Sequence, residues 1–287
     1  MVDVIVIGKG PAGISAAIYT SRANLKTLVI GKDGGALEKA EKIENYYGFE
    51  NTVSGEKLLN AGINQAKNLG IDVKNEEVLT IGHNENVFTV ITNKEEYKAK
   101  VVVIATGVNR PKINLEGIEE FEGRGVSYCA ICDAFFFKGK DVAVLGNGDY
   151  ALHEVNELLP IVNSVSILTN GKEKIELRDE RVKVYDKRIK RLRGVNTINA
   201  VEFEDDTDIE ISGVFIADGV ASSVDFARRI GANIQDNKIV VNRDFMTNIP
   251  GLFAAGDCIG GLLQVSKAVA DGAQAGISAV NYVRGIK

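Results

Sequence analysis

A chain of 287 residues, 45% hydrophobic and 25% charged, can bury a full core and is long enough for two domains. Its formal net charge of -5 disfavours general binding to nucleic acid or to an anionic membrane surface. No apolar run approaches the roughly 18 residues of a membrane span, and Met1-Val2-Asp3-Val4 lacks a basic segment ahead of a cleavable apolar stretch. A cytoplasmic protein is expected, and in a reducing compartment three cysteines point to catalysis rather than to a disulfide framework.

Val4-Ile5-Val6-Ile7 is a short β-branched run, followed by Gly8-Lys9-Gly10-Pro11-Ala12-Gly13 and then by helical spacing through Ile14, Ala17, Ile18 and Ser21. Strand, glycine turn and helix in that order make a dinucleotide site. The glycines let the backbone approach a pyrophosphate, which then sits at the helix N-terminus. The next strand, Thr27-Leu28-Val29-Ile30, ends in Gly31, where a ribose-binding acid would usually stand.

A long loop then carries Gly34-Gly35-Ala36-Leu37 and Glu44-Asn45-Tyr46-Tyr47-Gly48 before a helix near Ser54. Loops of that length inside a domain are usually functional. Residues 72 to 100 read as short polar strands forming an antiparallel flap on the main sheet, with turns at 83–86 and 93–94. Val101-Val102-Val103-Ile104 is a fully apolar strand ending in the small-residue turn Ala105-Thr106-Gly107.

Residues 109 to 113 look like a connection to a second unit. Within it, Cys129-Ala130-Ile131-Cys132-Asp133 places two cysteines at a spacing that closes a small disulfide and lowers a thiol pKa. Three Cys and two His are too few for a structural zinc site or for a cysteine-ligated iron–sulfur cluster, so no metal is expected and a redox dithiol remains. The opening arrangement then repeats: Val142-Ala143-Val144-Leu145 leads into Gly146-Asn147-Gly148-Asp149-Tyr150-Ala151 and a helix to Leu159, with a further strand at Val165–Leu168.

The final segment returns to the first unit. Phe253-Ala254-Ala255-Gly256-Asp257 is a short strand ending in an acid, and Gln264 to Tyr282 is an Ala-rich helix with Val265, Ala268, Val269 and Gly272 at helical spacing. Asp257 is either a hydroxyl-binding acid or a turn residue. Cys258 reads as a buried small residue, with a third redox partner as the alternative.

Taken with Gly123-Arg124-Gly125-Val126-Ser127-Tyr128 ahead of the Cys pair, these segments resemble the low-molecular-weight thioredoxin reductases, FAD-dependent disulfide oxidoreductases, over essentially the whole chain. The resemblance implies an α/β fold of two dinucleotide-binding, Rossmann-like domains, the second inserted in the first. The discontinuous FAD domain would comprise residues 1–110 and 243–287, the central redox domain residues 111–242, and the protein would be a homodimer. FAD would contact Gly8, Gly10, Pro11, Ala12, Gly13, Gly34, Gly35, Ala36, Leu37, Asn45, Thr106, Gly107, Gly256, Asp257, Gln264 and Val265. Cys132 would face the flavin, Cys129 would attack the thioredoxin disulfide, and Asp133 would be the general acid, with a turn cap as its alternative role. The connections at Asn109–Pro111 and Val241–Asp244 would be the hinges of a domain swing.

One departure concerns the electron donor. NADPH-dependent members of that family follow the second unit's next strand with His-Arg-Arg and a further Arg, which neutralise the 2′-phosphate. Here those positions read Thr169-Asn170-Gly171 and Ile175, with Lys172 and Lys174 as partial replacements. A charged contact to phosphate contributes on the order of 1.5 to 3 kcal/mol, so losing two or three would weaken binding by orders of magnitude. Tyr150 stands where a small hydroxyl residue is usual, and Ala217-Asp218-Gly219 is a second departure. The sequence is therefore similar to the ferredoxin-dependent flavin thioredoxin reductases. Because ferredoxins are acidic, Lys187, Arg188, Lys190, Arg191 and Arg193 form a candidate docking face, or else a solvated strand face. The rival readings are an NADPH-dependent reductase with relocated phosphate contacts and a flavin redox sensor that does not turn over.

Overall fold

The computed structural model describes residues 1–107, 113–173 and 179–286. It divides into two compact units, Met1–Asn109 with Ser222–Lys287, and Arg110–Ala221. Both are α/β. Among the described residues, no helix is long and apolar enough to cross a membrane.

The first unit begins β1 (Val2–Ile7), α1 (Pro11–Arg22), β2 (Thr27–Ile30), α2 (Gly35–Glu38), α3 (Gly55–Asn68), β3 (Asp72–Lys74), β4 (Val78–Asn84), β5 (Val87–Thr92) and β6 (Glu96–Ile104). The second contains β7 (Val126–Ser127), α4 (Ala130–Asp133), β8 (Asp141–Leu145), α5 (Asp149–Leu158), β9 (Ser164–Leu168), β10 (Val182–Tyr185), β11 (Ile189–Gly194), β12 (Ile198–Phe203), β13 (Asp208–Glu210) and β14 (Val214–Ile216). The chain then returns to the first with α6 (Ser223–Arg229), β15 (Ile234–Gln235), β16 (Lys238–Ile239), β17 (Leu252–Ala254) and α7 (Val265–Arg284).

In the first unit the sheet order is β3-β2-β1-β6-β5-β4, with β17 also paired to β6. The nine-residue β6 serves three partners. Its first part, to Ala99, is antiparallel to β5; from Ala99 it runs parallel to β1, and from Val102 parallel to β17 as well. The apolar runs of β1 and β6 are buried on both faces, as parallel strands covered by helices require. The flap expected over residues 72–100 is part of this sheet: β3 adds to its parallel edge beside β2, and β4 and β5 extend it antiparallel beyond β6.

Helix α7 lies against α1 through small residues. A Cβ at Gly272 would sit 2.0 Å from the Ala12 carbonyl oxygen, and one at Gly276 would sit 2.7 Å from that of Ala16. This contact brings the C-terminal helix beside the first glycine turn.

In the second unit a parallel sheet runs β10-β9-β8-β14-β7, and β11-β12-β13 form a separate antiparallel sheet. The core lies between these layers and includes Phe121, Leu145, Leu168, Leu192, Val201 and Phe203. Edge strand β7 leads straight into the Cys pair.

The return to the first unit falls at Ser222, ahead of the expected residue 243. The reason is α6. Ser222 and Asp225 form a reciprocal capping box at its start, and near its end Arg229 Nη1 donates to Thr80 Oγ1 of β4 at 3.1 Å. Residues Val241–Asp244, expected as a hinge, form a local turn in which Asn242 Oδ1 accepts from the amides of Asp244 and Met246. The other expected hinge, Asn109–Pro111, lies outside the described residues.

Gly272→Val should force the α1–α7 contact apart and destabilise the protein by about 1–3 kcal/mol. Chemical denaturation of the variant beside the wild type measures this.

Candidate active site

The ends of β1, β6 and β17 meet at one edge of the first sheet. The Ala105 amide donates to Ile7 O and the Ala255 amide to Ile104 O, so the turns after all three strands lie together. Gly8 has φ +111, and a Cβ there would sit 2.3 Å from Ala105 O. Gly13 is held as tightly, since its Cβ would lie 1.9 Å from Gly8 O. Gly10, by contrast, faces open space, precedes Pro11 at the first helical position, and caps α1 without a side chain. The helix N-terminus is thereby left open to an anion.

Around this turn stand the other expected contacts. Thr106 Oγ1 and Asp257 Oδ1 are buried without a hydrogen-bond partner among the described residues. Burial pushes the Asp257 carboxyl upward, against the opposing effect of the Lys267 ammonium. Gly256, at φ +83, brings this turn against Ala12. Asn45 Nδ2 donates to Gln264 Oε1 at 2.9 Å, joining the long loop to the residue ahead of Val265 and α7. Gly34 packs on Leu59, Gly35 adopts φ +62, and Ala36 and Leu37 form the short α2. At Gly31, where an acid was missed, the Lys9 stem covers the backbone: a Cβ there would lie 3.0 Å from Lys9 Cγ.

In the second unit, Cys129 and Cys132 are joined by a disulfide. Cys129 is only 3% exposed, whereas Cys132 lies on the exposed side of the turn. Ser127 Oγ donates to Asp133 Oδ2 at 2.6 Å and accepts from the Cys129 amide at 3.1 Å, so Asp133 and Cys129 share one hydroxyl. On the other side, the Ala130 amide donates to Glu154 Oε2 of α5 at 2.8 Å. Cys258 is remote in chemistry: it is buried, and burial pushes its thiol up to about 12.

The pyridine nucleotide-disulphide oxidoreductase family matches residues 2–272. A thioredoxin reductase from Aquifex aeolicus is 36% identical, over 99% of this chain and 94% of that protein. The chain belongs to this family, among its thioredoxin reductases. Of solved structures, an atypical thioredoxin reductase from Desulfovibrio vulgaris Hildenborough is similar at TM-score 0.93 and 38% identity, over 99% of both chains. A ferredoxin-flavin thioredoxin reductase from Clostridium acetobutylicum is similar at TM-score 0.74 and 31% identity, over 99% of this chain and 98% of that one.

The family implies a flavin cofactor, and the first unit fits one. Two buried oxygens without partners, an open helix N-terminus and glycines that admit close backbone approach are the features that a dinucleotide with a hydroxylated linker requires.

The second glycine turn keeps the formal geometry, since a Cβ at Gly146 would lie 2.2 Å from Ala217 O. Its contents differ. The Tyr150 ring is buried, at 2% exposure, in the first turn of α5. Lys172, beyond β9, pairs with Asp218, beyond β14. These strands flank β8, so the ion pair joins the two sides of the turn. Lys174 and Ile175 lie outside the described residues.

Four of the five residues of the basic cluster are paired. Lys187 meets Asp205 at 2.7 Å, Lys190 meets Asp206 at 2.7 Å and Glu202 at 2.9 Å, Arg191 meets Glu202 at 2.9 Å, and Arg193 pairs with Asp208. The partners come from β12, β13 and the turn between them, which linear reading of β11 does not count. This favours the solvated strand face over a docking patch.

Sequence reasoning missed three groups. Glu154 gives no local signal, because its partner Ala130 is far away in sequence. Lys267 Nζ donates to Gly256 O at 2.9 Å and pairs with Asp271 at 2.6 Å, bracing the Asp257 turn; the i,i+4 spacing was a usable sign. Ile131, Phe135 and Phe136 are 50%, 76% and 70% exposed beside Cys132, and Phe136 also borders a groove of about 790 Å³ lined by Arg124 and Lys140. The apolar identity of these residues was legible in the sequence, but their exposure was not.

Two outcomes follow for the buried groups. In the reduced protein, iodoacetamide at pH 8 should modify Cys132 while Cys258 reacts only after denaturation, as peptide mass spectrometry can determine. A carboxyl raised by burial contributes stability below its unfolded pKa and loses it as pH rises through the folded one. Asp257→Asn should therefore raise the melting temperature of the flavin-free protein at pH 7, a gain that vanishes on acidification below about pH 4, and flavin affinity should fall on the order of tenfold.

Proposed function

We propose that the protein is an FAD-dependent thioredoxin reductase whose electrons come from reduced ferredoxin rather than from NADPH. In this reading the first unit binds FAD. Gly8, Gly10, Pro11, Ala12 and Gly13 take the pyrophosphate, and Gly34, Gly35, Ala36 and Leu37 take the adenosine end. Asn45, Thr106, Gly107, Gly256, Asp257, Gln264 and Val265 line the remainder. The bound flavin supplies one-electron uptake together with two-electron delivery to a disulfide.

The carrying observation is the second glycine turn. A 2′-phosphate needs unpaired cations, and Lys172, the described candidate, is already neutralised by Asp218. The buried Tyr150 ring further supports loss of a pyrophosphate subsite. A ferredoxin-dependent enzyme among the similar structures supports the donor class.

Cys132 takes the flavin-facing role and Cys129 the exchange role, with Asp133 moving the proton. Cys129 is buried, so its attack on a partner requires the side chains over its sulfur to move once the Sγ–Sγ bond is broken, with the α4 backbone held in place. Ile131, Phe135 and Phe136 provide apolar surface for a protein substrate to cover. A cytoplasmic homodimer completes the proposal.

Anaerobic stopped-flow mixing tests the donor. Reduced ferredoxin should bleach the flavin and sustain multiple turnovers of thioredoxin reduction, whereas NADPH or NADH at micromolar concentration should leave the flavin oxidised. Rapid full bleaching by NADPH would overturn the donor assignment, and bleaching without thioredoxin turnover would instead identify a redox sensor.

A further inference from the structure

Glu154 sits on α5, outside the redox segment, and is 1% exposed. Its Oε2 accepts the Ala130 amide at 2.8 Å, between the two cysteines. The acceptor is buried and belongs to another element, so the bond is shielded from competition by water. The position suits a hold that must survive a change elsewhere.

The change is the opening of the disulfide. Helix α4 is four residues long and cannot hold itself, since isolated turns of helix are marginal. With the Sγ–Sγ bond gone, the turn keeps the Asp133 amide on Cys129 O at 3.2 Å, the Cys129 amide on Ser127 Oγ and the Ala130 amide on Glu154. The first two are local to the segment. Glu154 ties it to the helix that follows β8.

We propose that Glu154 is a positioning residue for the Cys129–Cys132 pair: by holding the Ala130 amide from α5, it keeps the reduced thiols within bonding reach of each other. This rests on reading Cys129–Cys132 as the exchanging disulfide. Reduction breaks the Sγ–Sγ bond, takes up two electrons and two protons, and leaves two thiols. The closer the thiols are held, the higher their effective concentration and the more stable the disulfide. Releasing the Ala130 amide shifts the equilibrium toward the dithiol.

The test equilibrates the holoprotein with reduced and oxidised dithiothreitol, alkylates it, and measures the dithiol fraction by mass spectrometry. Glu154→Leu should shift the equilibrium about tenfold toward the dithiol, equivalent to about 30 mV, while Glu154→Gln, which still accepts the amide, should stay within about twofold of wild type. Glu154→Asp keeps a carboxyl group but withdraws the acceptor, and should shift as Leu does; it carries the test where the Leu variant does not fold. Wild-type equilibrium in folded Glu154→Leu or in Glu154→Asp would overturn the positioning role. A wild-type pair that does not exchange with dithiothreitol would overturn the disulfide reading itself, and the inference with it.

Discussion

Backbone against backbone, at the end of a parallel sheet, is the contact on which the first unit depends. Gly8 abuts the Ala105 carbonyl and Gly13 abuts the Gly8 carbonyl, at separations that leave no room for a Cβ. Because β1, β6 and β17 end together, that contact also fixes where Thr106 and Asp257 emerge. The α1–α7 packing follows from the same economy of side-chain volume, with Gly272 and Gly276 against Ala12 and Ala16. The cradle is thus assembled from distant parts of the chain by small residues alone.

The second unit obeys the same constraint and puts it to another use. Gly146 approaches Ala217 O much as Gly8 approaches Ala105 O. Close packing of a strand onto a helix start is therefore retained as a requirement of the fold. Beyond it, the second turn carries an ion pair and a buried aromatic ring. A buried Tyr contributes considerable apolar surface to the core.

Glycine and apolar runs made the two-unit α/β architecture legible from the sequence, because close approach and positive φ leave glycine as the fitting residue and buried parallel strands leave β-branched runs. The redox pair was legible for a similar reason: its spacing is its chemistry. What stayed hidden depends on partners far apart in the chain. Lys172 looked available until Asp218 came beside it, and the cluster on β11 looked basic until the acids around β12 and β13 were brought alongside. The return to the first unit was misplaced because α6 declares itself by a capping box and by Arg229 on β4, neither of which is an apolar repeat.

The Cys129–Cys132 segment is bracketed by two carboxylates in different settings. Asp133 is half-buried, lies within the segment and shares the Ser127 hydroxyl with the Cys129 amide. Glu154 is buried, comes from outside the segment and is committed to a backbone amide. Desolvation strengthens a hydrogen bond such as the one Glu154 accepts. Tyr150 and Glu154 lie one turn apart on the buried face of α5. The helix that begins at the second glycine turn therefore carries both the buried ring of that turn and the carboxyl that meets the backbone between the two cysteines.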